Sequence, residues 1–280
     1  MLENAALMRR LFFISFHQKE YKTSMLSFFK YQGTGNDFVM IDAREVKVSL
    51  SQEEIAAICS RRFGVGADGL ILLKNADGCD FRMVYYNADG REGSMCGNGG
   101  RCTVKFAADL GIFEKETSFI AVDGPHEALL IEDKVRLKMT DTATVAEVDG
   151  NSFYNTGSPH VVIYSDNLGA LDVNKEGAAI RYNEYWQAAG GSNINFVELK
   201  GSQSIAVRTY ERGVEAETYS CGTGVTACAL DAWQKHQMKS PIAINTLGGQ
   251  LEVSFEQNTD GSFSNIWLEG PALRVFKGIW

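Results

Sequence analysis

The chain reads as an α+β protein built from a duplicated domain, and three observations predict this. Short strand-like segments far outnumber helical ones and do not alternate with them, which argues against a βαβ array. The turn Gly33-Thr34-Gly35-Asn36 returns as Asn155-Thr156-Gly157-Ser158, each time ahead of an apolar strand. The run Cys96-Gly97-Asn98-Gly99 returns in the same order as Cys221-Gly222-Thr223-Gly224, each time ahead of a helical segment. Chance recurrence of short glycine motifs is the alternative.

Taken along the chain, Ser27 to Tyr31 and 38–42 read as strands around the first Thr-Gly turn. Leu50 to Arg62 reads as a helix, with Ser51 as N-cap and Glu54 completing a capping box. Strands follow at 69–74 and 80–86. Gly99 to Leu110 is helical and stops at Gly111. Strands at 118–122, 127–132 and 134–139 close the first half, and the halves join near Asp141 to Asn151. The second half carries strands at 160–164, 194–199 and 204–210, a helix from Gly224 to Gln237, and strands at 241–245, 250–255 and 265–269. The expected division is a tail at 1–24, a first lobe at 25–141 to which 271–280 returns, and a second lobe at 142–270. In the tail, the apolar run Leu11 to Phe16 is shorter than a signal-peptide core and no small-x-small site follows. The fold is expected to begin near Met25.

Composition excludes several classes of function. Of 280 residues, 27 are Lys or Arg and 35 Asp or Glu, a net charge of −8 that disfavours a bulk grip on nucleic acid or anionic membrane. No run of about 18 apolar residues is present, so no membrane helix is expected. The six cysteines (59, 79, 96, 102, 221, 228) contain no C-x-x-C, and the four histidines are scattered, so zinc spacing is absent. Reduced thiols in a cytoplasmic setting are the expectation.

Cys96 and Cys221 each stand where a loop enters a helix. Duplication places such loops about a pseudo-twofold axis, so the two thiols are expected to face each other across a cleft. Free amides of a first helical turn stabilise anions. They should lower the thiol pKa from about 8.5 and could hold a substrate carboxylate. Two thiols beside a carboxylate suit inversion at its α-carbon: one thiolate removes the proton and one thiol returns a proton to the opposite face. Cys59, Cys79, Cys102 and Cys228 read as structural thiols.

Other motifs carry less. Gly64-Val65-Gly66-Ala67-Asp68-Gly69 fits G-x-G-x-x-G, but a helix precedes it and a strand follows, the reverse of a dinucleotide site. A single cysteine nucleophile with His160 as base would leave the second cysteine motif unexplained, and His160 reads equally as a structural histidine. The clusters at Asn36-Asp37, Asn87-Ala88-Asp89-Gly90, Ser192-Asn193-Ile194-Asn195 and Tyr210-Glu211-Arg212-Gly213 read as turns. Glu211-Arg212 also suits recognition of a zwitterion, since Arg clamps carboxylates bidentately.

Together these segments resemble the diaminopimelate epimerase family, whose members are pyridoxal-independent. The resemblance rests on 33–38, Phe63 to Asp68, 87–90, 96–99, Gly157 to His160, 211–213 and 221–224, and spans nearly all of 25–280. It implies two pseudosymmetric lobes, each a β-sheet wrapped around a central helix, an active site in the cleft between them, a homodimer, and no cofactor or metal. The implied reaction interconverts LL- and meso-2,6-diaminopimelate, in lysine and peptidoglycan precursor synthesis in the cytoplasm. Cys96 and Cys221 correspond to the acid/base pair, and Gly97-Asn98 and Gly222-Thr223 to the donors at the reacting carboxylate. Asn36, Asn87, Asn193 and Arg212 correspond to binders of the distal end, and Glu211 and His160 to groups assisting at the reacting centre. Two departures stand out. Gly69 replaces a glutamine found in some members, and Ser158 stands in the asparagine position of Gly-Asn-Pro-His, so its substrate contact passes through water or is lost. Rival readings are a proline-type racemase on the same scaffold, a one-cysteine hydrolase, and a non-catalytic amino-acid binder.

Overall fold

The computed structural model describes residues 25–143, 146–148 and 150–280; the expected tail at 1–24 lies outside them. The first half contains β1 (Ser27–Gly33), β2 (Asn36–Asp42), α1 (Gln52–Cys59), β3 (Gly69–Lys74), β4 (Phe81–Asn87), α2 (Gly97–Asp109), β5 (Glu116–Ala121), β6 (Gly124–Ile131) and β7 (Lys134–Lys138). The second contains β8 (Ala146–Val148), β9 (Asn151–Asn155), β10 (Pro159–Tyr164), α3 (Val173–Arg181), α4 (Glu184–Ala188), β11 (Asn193–Leu199), β12 (Ser204–Glu211), β13 (Ala216–Thr218), α5 (Gly222–His236), β14 (Ile242–Thr246), β15 (Gly249–Gln257) and β16 (Phe263–Pro271). β17 (Leu273–Ile279) follows and pairs antiparallel with β1.

The strand pairing carries the duplication. β7 and β16 pair antiparallel at the centre of one continuous sheet. Outward from that junction run β6, β5, β4, β3, β2, β1 and β17 on one side. On the other run β15, β14, β12, β11, β10, β9 and β8. The senses match step for step: β4–β5 and β2–β3 are parallel, as are β12–β14 and β10–β11, and the remaining pairs are antiparallel. The two Thr-Gly turns occupy equivalent hairpins, β1–β2 and β9–β10. In the first, Thr34 (φ 50°) and Gly35 (φ 86°) both lie in the left-handed region, as a two-residue primed turn demands.

Each half-sheet curls around one helix. α2 touches β1 to β4, β6 and β7, and α5 touches β9 to β12 and β14 to β16. A helix enclosed in this way is buried nearly all round: Cys102, Val104, Phe106 and Ala107 on α2, and Val225, Cys228, Ala229 and Leu230 on α5 are buried, and so are the polar Arg101, Thr103, Thr226 and Asp231. The strands alternate strictly. Phe38, Met40, Ile71 and Leu73 face the central helix, while Val39, Ile41, Leu70 and Leu72 face α1 on the outside. The second half repeats this, with Val161, Ile194 and Phe196 meeting Leu168, Val173 and Trp186. Burial on both faces explains why the parallel strands read as continuous apolar runs.

Three expectations change. The first helix ends at Cys59 rather than Arg62, because Ser60 turns extended and Gly66 (φ 78°) folds the chain back, its carbonyl held by Lys30 Nζ. That reversal brings Asp68 to Asn36. The central helices start two residues earlier than read, at Gly97 and Gly222. The second half also contains α3 and α4, begun by Asp172 and Asn183, whose side chains accept from Lys175 and Trp186 amides.

Candidate active site

Cys96 and Cys221 are the N-cap residues of α2 and α5. Each stands in extended backbone between a strand end and a helix that its half-sheet encloses, so the fold aims both helix N-termini at one place. They nearly touch: a Cβ built on Gly222 would lie 3.4 Å from Gly97 Cα. A side chain at Gly222 would instead be crowded by Leu268, whose Cδ2 would lie 3.0 Å from the added Cβ. Around the junction lies a cavity of about 250 Å³ lined by Asn36, Cys96, Gly97, Asn98, Ser158, Asn193, Glu211, Arg212, Cys221, Gly222 and Thr223, among others. An adjoining cavity of about 710 Å³ shares Asn36, Cys96, Glu211 and Arg212, and adds Asn87, Asp68, Tyr85 and Tyr219. The residues singled out from sequence thus converge, with two exceptions of placement. Asn87 lines only the adjoining cavity. His160 lines neither; it is fully buried behind Thr223.

The two thiols have different neighbours. Cys96 Sγ lies 3.6 Å from Asn36 Oδ1, and Asn36 is held by its amide, which donates to Asp68 at 2.6 Å. Asn36 therefore presents an acceptor to the Cys96 S–H. Cys221 Sγ lies 3.5 Å from Thr223 Oγ1, which is 2.8 Å from His160 Nε2. Asn195, which the sequence reading placed in a turn cluster without a role, decides the state of that histidine. Its Oδ1 accepts from Thr209 and its Nδ2 donates to Val161 O, so the same Nδ2 donates to His160 Nδ1 at 3.1 Å. The proton of the neutral ring must then sit on Nε2 and point to Thr223, leaving the Thr223 hydroxyl free to donate to Cys221. Burial, with Arg212 adding, pushes the His160 pKa down to about 3, so the ring is neutral at physiological pH. Only the placement of Asn195 on a parallel strand beside His160 reveals this link.

At the pocket's far wall, Asn193 Nδ2 donates to Ser158 Oγ at 2.9 Å, and its Oδ1 accepts from the Arg212 amide at 2.8 Å. The Arg212 guanidinium rests on the carbonyls of Gly190 and Gly191. Ser158 is thus held by the protein within reach of the pocket. Gly69 is packed so tightly against Tyr85 and the Tyr86 carbonyl that a Cβ would lie 2.5 Å from each. No side chain fits there.

The thiol pKa values run opposite to the sequence expectation. Burial pushes Cys221 up to about 12, with Glu211 adding, although the Thr223 hydroxyl and the Gly224 amide act to lower it. Burial raises Cys96 too, against the amides of Gly99 and Asn98 and the charge of Arg101. Desolvation outweighs the helix amides because protein surrounds both sulfurs. Burial likewise raises Glu211. Each thiol therefore holds its proton at physiological pH.

The same shifts bear on stability. Cys59, Cys102 and Cys221 are raised by burial to about 11, 12 and 12, from an ordinary value near 9. A group whose folded pKa is raised stabilises the fold below its unfolded pKa and loses that contribution as pH climbs toward the folded value. The melting temperature should fall by roughly 5 °C or more between pH 8 and pH 11. Calorimetry across that range checks it, and a flat profile would contradict the burial of these thiols.

Comparison with known proteins agrees with this architecture. The family model described as diaminopimelate epimerase matches residues 28–145 and 152–273. A Flavobacterium psychrophilum protein named diaminopimelate epimerase is 51% identical over 255 residues, covering 90% of this chain and 99% of that one. An Aquifex aeolicus protein of the same name is 39% identical over 275 residues, covering 90% and 97%. Among solved structures, a Bacillus anthracis phenazine biosynthesis protein of the PhzF family superposes with TM-score 0.73 at 15% identity, covering 91% and 99%. An Agrobacterium vitis hydroxyproline epimerase does so with TM-score 0.69 at 13% identity, covering 92% and 93%. These two share the two-lobed fold. On sequence, the chain belongs to the diaminopimelate epimerase family.

Proposed function

We propose that the protein interconverts LL- and meso-2,6-diaminopimelate by proton transfer between two cysteines, without a cofactor, in lysine and peptidoglycan precursor synthesis. The observation that carries this reading is the meeting of two cysteine-led helix N-termini in one polar cavity, in a chain 51% identical to a protein of that name.

The chemistry follows from the geometry. The substrate α-carboxylate sits over the first-turn amides at Gly97-Asn98 and Gly222-Thr223, where two helix dipoles favour negative charge. One thiolate takes the α-proton and becomes a thiol. The electron pair left on carbon spreads into the carboxylate, where the amides stabilise it. The other thiol gives its proton to the opposite face and becomes the thiolate. Thr223, with His160 behind it, donates to Cys221 in its thiolate form; Asn36 accepts from Cys96 in its thiol form. Glu211, raised by burial, stands beside both sulfurs and suits the α-ammonium. Asn193 and Arg212, with Asn87 at the adjoining cavity, take the distal end, and Ser158 contributes through Asn193.

A lobe at 25–141 joined by 271–280, facing a lobe at 142–270, fits the pairing of β17 with β1. A homodimer is part of the reading: β17 pairs on one side alone among the described residues and exposes Leu273, Val275, Phe276 and Ile279. A cytoplasmic setting follows from the substrate's place in biosynthesis. Among the described residues no helix is long and apolar enough to cross a membrane.

Proton NMR of LL-diaminopimelate with the reduced protein in heavy water tests the reaction. Deuterium entering an α position as the meso isomer appears is the expected result; no exchange would refute it. Arg212→Ala separates this reading from a proline-type racemase, which has no distal zwitterion. A charge-assisted contact is worth about 1.5–3 kcal/mol, so KM should rise roughly 10–100-fold. An unchanged KM would favour the racemase.

A further inference from the structure

Arg101 is the largest fully buried side chain of the described protein. It lies on α2, one turn beyond Gly97. A buried guanidinium is costly unless paired, yet among the described residues it forms no ion pair. Its Nη2 donates to Thr34 Oγ1 and Asn98 Oδ1, each at 3.0 Å. Its Nη1 reaches the Gly97 carbonyl at 3.5 Å, and its Nε has no partner. Gly270 closes over it: a Cβ there would lie 3.3 Å from Nε. Every group that receives its hydrogen bonds is neutral. The charge therefore has no resident counter-ion.

The groups it holds are those of the site. Gly97 and Asn98 line the cavity beside Cys96. With Oδ1 turned to the guanidinium, Asn98 directs its Nδ2 to the Ser220 carbonyl at 3.0 Å and to Ser220 Oγ at 3.2 Å, across to the residue before Cys221. The second motif has no such cation. Counting five residues on from each cysteine, Thr226 stands where Arg101 does, and its hydroxyl donates to Gly222 O.

We infer that Arg101 is a positioning residue of the active site: a fixed buried cation that stabilises negative charge at the Cys96 end of the cavity and, through Asn98, aims the amides there. Two anions need it. One is the Cys96 thiolate; the other is the substrate carboxylate as it takes up the α-carbon's electron pair. The second rests on the epimerase reading, and the first does not. Cys96 also faces Glu211 from β12, Cys221 from α5, Tyr85 from β4 and Cys102 from its own helix. All of these disfavour the thiolate; the backbone amides of Gly99 and Asn98 favour it, and Arg101 is the one charged side chain that does.

The test is alkylation of the two thiols by iodoacetamide as a function of pH, read at each cysteine by peptide mass spectrometry. In the unaltered protein Cys96 should titrate at lower pH than Cys221. Arg101→Gln keeps a hydrogen-bonding amide and removes the charge. It should slow Cys96 alkylation about tenfold below the midpoint and leave Cys221 within about twofold, the low end of the shift an opposite charge exerts on a pKa, since Arg101 acts on Cys96 less than burial and the helix amides do. Arg101→Lys keeps the charge and should hold Cys96 within about threefold of the unaltered protein, which a purely structural hydrogen-bonding role would not predict. A folded Arg101→Gln protein whose Cys96 curve superposes on the original would overturn the inference. So would Cys221 titrating first in the unaltered protein, a readout that stands even if Arg101→Gln does not fold. Turnover of diaminopimelate by the same preparation tests the parent reading separately, because alkylation needs no substrate.

Discussion

Alanine at either Cys96 or Cys221 should reduce stereoinversion about 10³-fold or more, the range set by loss of a positioned acid or base. The fold should survive both changes. Neither cysteine caps its helix with a side-chain hydrogen bond, so neither substitution removes a cap. Each variant keeps one thiol, and that thiol faces one side of the α-carbon. Cys96→Ala and Cys221→Ala should therefore still exchange the α-hydrogen with solvent, but on opposite stereoisomers, without inverting either. Separate incubations of the LL and meso isomers in heavy water read this directly. Inversion at the original rate in either variant, or exchange of the same isomer by both, would rule out a two-sided mechanism. Serine sharpens the point. Cys96→Ser supplies the missing N-cap oxygen and should stabilise α2 by about 0.5–1 kcal/mol while remaining slow, because a serine hydroxyl is a far weaker acid than a thiol.

Gly224→Ala should lower kcat about 100-fold, whereas Gly99→Ala, at the matching position of the first motif, should cost little. A methyl on Gly224 would lie 2.5 Å from Asn195 Oδ1 and 3.2 Å from His160 Cε1. Asn195 cannot yield without surrendering its bonds to Thr209, Val161 and His160, and with them the proton placement on His160. A displacement of about 1 Å in such a chain is worth roughly 100-fold in rate. A methyl on Gly99 would meet Met83 Cε at 3.3 Å, Ile71 Cδ1 at 3.4 Å and Phe38 Cζ at 3.5 Å. These are tips of apolar side chains that can move by tenths of an ångström. Steady-state kinetics on the two variants, with melting temperatures to show that both fold, separates the outcomes. Equal losses at the two glycines would mean that the His160 relay contributes nothing.

The duplication was legible because its markers are local. Each hairpin turns through a glycine at positive φ, Gly35 or Gly157, and glycines follow each cysteine where the two helix starts meet, so the pattern survives as letters. Capping boxes are local too, which is why Ser51 located α1. The same logic could have located α3 and α4 from Asp172 and Asn183, but short helices packed on an outer sheet face carry little periodicity of their own. What was not legible depends on burial. The helix amides at Cys96 and Cys221 could be inferred from position, but the protein packed around both sulfurs could not, and desolvation reversed the direction of the shift. Nothing in the letters around Arg101 marks it as buried; only its place on the enclosed helix does. Asn195 reads as a turn residue, because only the β10–β11 register sets it against His160.

The pairing of β17 with β1 bears on how this chain comes to be folded. In the second half-sheet the outermost strand, β8, is laid down next to its partner β9 and needs only a short turn to reach it. In the first, the same outermost position is filled by residues 273–279, synthesised after the entire second half. During translation this edge of β1, with Phe28 and Tyr31, stays unpaired until the last residues of the chain are made. An early-born lobe finished by a late-born strand is a long-range closure, slow to make and exposed to mispairing in the interval. Cells making this protein should therefore place more demand on chaperones for nascent chains stalled before residue 273 than for those released after it.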